Sequence, residues 1–145
     1  MRRALALLPL LAATPAAAWE FTPNPVCTLR HAGAEAGVVV THDPREAQPY
    51  AITLTRPDTA WPEGPVFTLT FEGPRPLTIG TDRHRLTGGG TALTVTDRGF
   101  GNVLDGLQFC DRAVARLGEA AVAVSLTGAA GPVEAFRACA LAPLS

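Results

Sequence analysis

The run Val66-Phe67-Thr68-Leu69-Thr70-Phe71, VFTLTF, alternates large apolar side chains with threonine. A β-strand turns successive side chains to opposite faces, so Phe67, Leu69 and Phe71 share one face while Thr68 and Thr70 share the other. Aromatic and β-branched residues suit such a half-wet, pleated surface, and the stretch therefore reads as a strand with one face in a core. Residues 51–55 (AITLT) and 92–96 (ALTVT) repeat the pattern, and residues 26–31, 37–42, 76–79, 83–86 and 120–127 are further strand candidates. About eight strands separated by Gly, Pro and Asp predict a mainly β (α+β) protein, an antiparallel β-sandwich or partly closed barrel.

Two segments in the C-terminal third break the period of two. Val103, Leu107, Cys110, Val114 and Leu117 are spaced by four and three and line one helical face. Asn102 can cap that helix, Asp105 suits its first turn, and Gly118 can end it. Gly106 opposes the assignment by about 1 kcal/mol relative to alanine. A second, short helix is predicted from Pro132 through Val133, Phe136 and Cys139 or Ala140.

Three consecutive glycines, Gly88 to Gly90, follow His84, Arg85 and Leu86. A phosphate-binding loop requires a helix after the glycines and a Gly-Lys-Ser/Thr ending. Here a strand pattern follows and the chain has no lysine, so the run reads as a hairpin turn using glycine's access to positive φ.

The N-terminus, MRRALALLPLLAATPAAA, has a basic start, an apolar run from Ala4 to Ala13, and small residues at Ala16 and Ala18. It reads as a secretory signal peptide over residues 1–18, leaving residues 19–145 as a single β-rich domain in the periplasm or outside the cell. No apolar stretch reaches the roughly 18 residues that a membrane helix needs. Residues 19–145 hold ten arginines against thirteen acidic residues, a formal charge of −3. That balance argues against nucleic acid as a partner, because such binding neutralises phosphates with cations.

Three cysteines in an exported chain allow one internal disulfide with one thiol left over. Chain termini tend to lie close together, which favours Cys27 with Cys139 and leaves Cys110 as a free thiol on the apolar helical stripe. Cys27 with Cys110 is the alternative pairing.

Candidate chemistry is sparse. His42-Asp43 ends a strand pattern, and Asp82 and His84 are two apart and would share a strand face. These four are the candidate ligand or metal contacts, with His31 the remaining histidine. No catalytic motif, metal-ligand spacing or cofactor fingerprint is present. Trp19, Phe21, Trp61 and Phe100 neighbour Pro or Gly in expected loops or near the start of the mature chain, and Trp19, Trp61 and Phe100 are the candidate aromatic anchors for a partner.

The block Leu77 to Phe109, LTIGTDRHRLTGGGTALTVTDRGFGNVLDGLQF, with WEFTPNPVCTL from Trp19 and AFRACA from Ala135, resembles a group of small, uncharacterised exported bacterial proteins. Proteins of that group often carry the label of the B component of excinuclease ABC. The absence of a Walker motif and of a basic surface is incompatible with DNA-repair activity. The order of strands, helix, strand and helix is also similar to the invasion-associated locus B family of periplasmic β-sandwich proteins. That family's further cysteines and Gly-Cys segment have no counterpart here, and neither resemblance supplies a catalytic residue.

Together these readings predict an exported, monomeric, non-enzymatic protein without a cofactor that binds a protein or envelope component. The alternative is a small periplasmic hydrolase or metal-binding protein working through its His and Asp residues.

Overall fold

The computed structural model describes residues 4, 6–11 and 18–143, so the expected signal peptide lies for the most part outside the described residues. Among the described residues the chain forms β1 (Glu20–Thr22), β2 (Cys27–Ala32), β3 (Gly37–His42), β4 (Tyr50–Thr55), β5 (Phe67–Glu72), β6 (Leu77–Thr81), β7 (Arg85–Thr87) and β8 (Ala92–Asp97). Helix α1 (Gly101–Phe109), strands β9 (Arg112–Leu117) and β10 (Ala120–Ser125), and helix α2 (Ala130–Leu141) follow. One sheet has six strands in the order β1-β2-β3-β4-β8-β7, and the other has four in the order β10-β9-β5-β6. All pairings are antiparallel, and the sheets are not closed into a barrel.

The alternation explains how the sheets pack. In β5, Phe67, Leu69 and Phe71 are buried while Thr68 and Thr70 are half-exposed. Val38 and Val40 of β3, Ile52 and Leu54 of β4, and Leu93 of β8 come from the other sheet into the same apolar cluster. Each fully buried Leu or Phe contributes about 1.5–3 kcal/mol relative to exposure, so the inward rows supply the main stabilisation. Threonines on the outward rows pair across strands, with Thr53 and Thr94 hydroxyls 2.9 Å apart and Thr70 and Thr78 hydroxyls 3.1 Å apart.

The triple glycine forms the β7–β8 turn, with φ of +63°, +69° and +88° at Gly88, Gly89 and Gly90. The Gly90 carbonyl also accepts a hydrogen bond of 2.8 Å from the Trp61 amide.

The first helix differs from its expected extent. It stops at Phe109, and Arg112–Leu117 is strand β9 rather than a further helical turn. Ala113, Ala115 and Leu117 supply a second, period-two row that points into the core, and β9 fills the place between β5 and β10. That ladder outweighs the continued helical spacing through Cys110, Val114 and Leu117. Gly118, expected to end a helix, turns the β9–β10 hairpin at φ +56°. Helix α1 begins at Gly101 with Phe100 as its N-cap residue, so Asn102 is not the cap. Asp105 pairs with Arg137 of α2 instead of serving the first turn. Gly106 is required by packing: a Cβ there would lie 2.3–2.5 Å from three atoms of the Phe71 ring.

Helix α2 packs on β1 and β2 and against α1. Its inward residues Val133 and Phe136 are fully buried, and Cys139 is bonded to Cys27 at the start of β2, with a Cα–Cα separation of 6.0 Å. Among the described residues no helix is long and apolar enough to cross a membrane.

Candidate functional site

Between the sheets lies a cavity of about 430 Å³. Its apolar wall comprises Ile52 from β4, Phe67 and Leu69 from β5, Ile79 from β6, Val95 from β8, and Phe100 and Val103 at the start of α1. Alternation in β8 makes this possible, because Val95 and Asp97 line the inter-sheet space while Thr96 lines a groove on the other side. Gly99 and Gly101 flank Phe100, and a Cβ at either would meet nothing within 4 Å.

One ion pair marks the rim. Arg83, on the β6–β7 connection, lies 3.5 Å from Asp97, and the two side chains are 61% and 42% exposed. Such a pair contributes about 0–1 kcal/mol, and an entering polar group can displace it at little cost. The Arg83 amide donates to Thr81 Oγ1 at 3.1 Å, and Asp97 Oδ1 accepts from the Arg98 amide at 2.7 Å. The lining joins this apolar wall to four polar side chains, Thr81, Arg83, Asp97 and Asn102.

Of the residues singled out from the sequence, Phe100 lines this cavity and the others fall elsewhere. Cys27 and Cys139 form the disulfide, and Cys110 is free and buried, its thiol donating to the Arg75 carbonyl at 3.1 Å. His42 and Asp43 line a cavity of about 760 Å³ beside that disulfide. The His42 ring packs against Tyr50 at 4.6 Å. Both Asp43 carboxylate oxygens accept from the Arg45 guanidinium at 2.9 Å. That side-chain hydrogen bonding, and secondly a bond from the Arg45 amide, holds the Asp43 carboxyl below its ordinary pKa. Asp43 is therefore engaged by Arg45, and among the described residues its side-chain hydrogen bonds all come from Arg45 rather than His42.

His84 does not join them. Its Nε2 lies 3.0 Å from the Gly64 carbonyl, and its Nδ1 is buried without a partner. Asp82 is exposed on the same connection. His31 is buried and stacks on Trp19 at 4.7 Å between centroids, with 8° between the rings. Among the described residues no group of three or more His, Cys, Asp or Glu is placed to hold a metal ion.

The aromatic anchors require correction. Trp19, Trp61 and Phe100 are only 4%, 3% and 5% exposed and belong to the core. The indole N–H of Trp19 donates to the Ser125 carbonyl at 3.0 Å and that of Trp61 to the Leu54 carbonyl at 3.2 Å, which is how large amphipathic rings are accommodated inside. Phe21 is half-buried against the same cluster. Among the residues that line the inter-sheet cavity, Phe67 and Leu69 are legible in the sequence only as the inward row of a strand and Phe100 only as an aromatic between two glycines.

The chain matches no protein-family model, curated protein or solved structure. The comparisons therefore add no support to either family resemblance.

Proposed function

We propose that this is an exported, non-enzymatic binding protein whose ligand is a small, largely apolar molecule seated between the two sheets. The observation that carries the reading is the inter-sheet cavity, whose volume of about 430 Å³ and apolar wall with few polar groups match small-molecule sites. Export is supported by the leader-like N-terminus and by the disulfide, which persists in oxidising compartments. Leu7, Leu8, Leu10 and Leu11 are 85–98% exposed, so these four leucines take no part in the core.

The test uses a neutral apolar fluorophore, N-phenyl-1-naphthylamine, titrated into the protein. Saturable binding with a blue-shifted emission is expected, and Val95→Phe, which fills the cavity, should abolish it while leaving the fold intact by circular dichroism. Absence of saturable binding, or equal binding by the filled variant, overturns the reading.

The hydrolase or metal-binding reading draws on His42 and Asp43 sharing one cavity. It expects His42→Ala to remove a measurable esterase activity or zinc affinity, and equal values for the wild type and His42→Ala would end it.

A further inference from the structure

On the opposite face of β8 from the inter-sheet cavity lies a second groove of about 600 Å³. Its floor carries Thr41 of β3, Ala51 of β4 and Thr96 of β8, neighbours across the antiparallel pairings Thr41↔Ala51 and Ala51↔Thr96. The β3–β4 connection, with Asp43, Glu46 and Gln48, forms one side. Arg85 and Arg98 also line it.

We infer that this groove binds an acidic saccharide, a sugar bearing a carboxylate. Among the described residues the arginine–carboxylate pairs involve Arg45, Arg83, Arg112 and Arg137, which leaves the guanidinium groups of both Arg85 and Arg98 without a carboxylate. Two such cations lining one groove suit an anionic group, which arginine binds through short, charge-assisted hydrogen bonds. Asp43 does not cancel them, because its charge is already met by Arg45, and Glu46, the other carboxylate of the lining, forms no ion pair with either arginine.

The rest of the lining explains why the anion belongs to a sugar. Thr96 Oγ1 donates to Gln48 Oε1 at 2.6 Å, which fixes the amide and leaves its NH2 group free to donate. The Thr96 oxygen can still accept, the Thr41 hydroxyl can do both, and the Glu46 carboxylate can only accept when ionised. This array complements hydroxyl groups, which both donate and accept. Val26, Ala47 and Pro49 complete the lining, and the groove's volume exceeds what a bare inorganic anion fills.

The experiment titrates a trimer of galacturonic acid, its methyl ester and inorganic phosphate into the disulfide-bonded protein by calorimetry. The acid trimer is expected to bind at least about tenfold tighter than the ester and to weaken as salt is added, as charge-assisted contacts require. Arg85→Ala with Arg98→Ala should remove that tenfold preference without changing the melting temperature or N-phenyl-1-naphthylamine binding. Gln48→Ala should weaken acid and ester alike. Failure of the acid trimer to bind, equal affinity for acid and ester, indifference to the two arginine substitutions, or phosphate binding as tightly as the trimer would each overturn the proposal.

Discussion

At the scale of single residues, Gly106 shows how a local propensity yields to packing. Glycine in a helix costs about 1 kcal/mol against alanine, yet the Phe71 ring occupies the space a Cβ would need, at 2.3–2.5 Å. Gly106→Ala should therefore destabilise, by about 1–3 kcal/mol, the range found when a methyl is forced into a filled core. Adding Phe71→Leu should recover part of the loss caused by Gly106→Ala. Urea denaturation of both singles and the double closes the cycle, and strictly additive effects would disprove the contact. Asp43 offers a second residue-scale test through pH. Its folded pKa is lowered by the Arg45 side chain, so its contribution to stability is present above the unfolded value, about 3.9, and is lost as pH falls through the folded value. Arg45→Ala should raise the Asp43 midpoint toward that of a free aspartate in a carboxyl NMR titration, and an unmoved midpoint would exclude the attribution.

At the scale of elements, the β9–β10 hairpin and the disulfide are the joints that hold the C-terminal third. Gly118 turns the hairpin at φ +56°, and a Cβ would lie 3.3 Å from Pro62 Cγ. Gly118→Ala should cost about 1–2 kcal/mol, the penalty of a left-handed backbone for an L-residue, read as a lower urea midpoint with an unchanged slope. The Cys27–Cys139 bond closes 112 residues and tethers α2 to β2. Replacing both cysteines with serine should lower stability by about 2–5 kcal/mol. A thiol assay of the untouched protein should find Cys110 unreactive when folded and one equivalent after denaturation, since that thiol is buried. Most strands were legible here because Phe67, Leu69 and Phe71, or Leu93 and Val95, alternate without ambiguity. Strand β9 was hidden because Val114 and Leu117 satisfy a helical spacing while Ala113, Ala115 and Leu117 satisfy a strand spacing. Only the partner strands β5 and β10 decide between those periods. Strand β1 escaped notice because Glu20–Thr22 has three residues, too few to show any period.

At the scale of the whole molecule, the sites were less legible than the fold because a cavity is a relation among distant segments. Ile52, Phe67, Ile79 and Val95 each read as core residues, and no single spacing reveals that they leave space between them. The histidines were chosen for their chemistry, yet His84 meets a backbone carbonyl and His31 meets an indole. The aromatic anchors failed for a related reason: a loop position does not imply exposure when the indole N–H can reach a carbonyl. The two cavities lie back to back on β8, one between the sheets and one on the outer face of the six-stranded sheet. An inter-sheet ligand touches β4 and β8 on one side and β5 and β6 on the other, so it should suppress local opening of both sheets. A ligand in the outer groove touches β3, β4, β7 and β8 of the six-stranded sheet alone. Hydrogen exchange should therefore show N-phenyl-1-naphthylamine slowing amides in β5 and β6 as well as β4 and β8. The galacturonic acid trimer should leave β5 and β6 unchanged at matched occupancy. Protection by the fluorophore confined to one sheet would count against a seat between them, and equal protection of both sheets by the trimer would count against the outer groove.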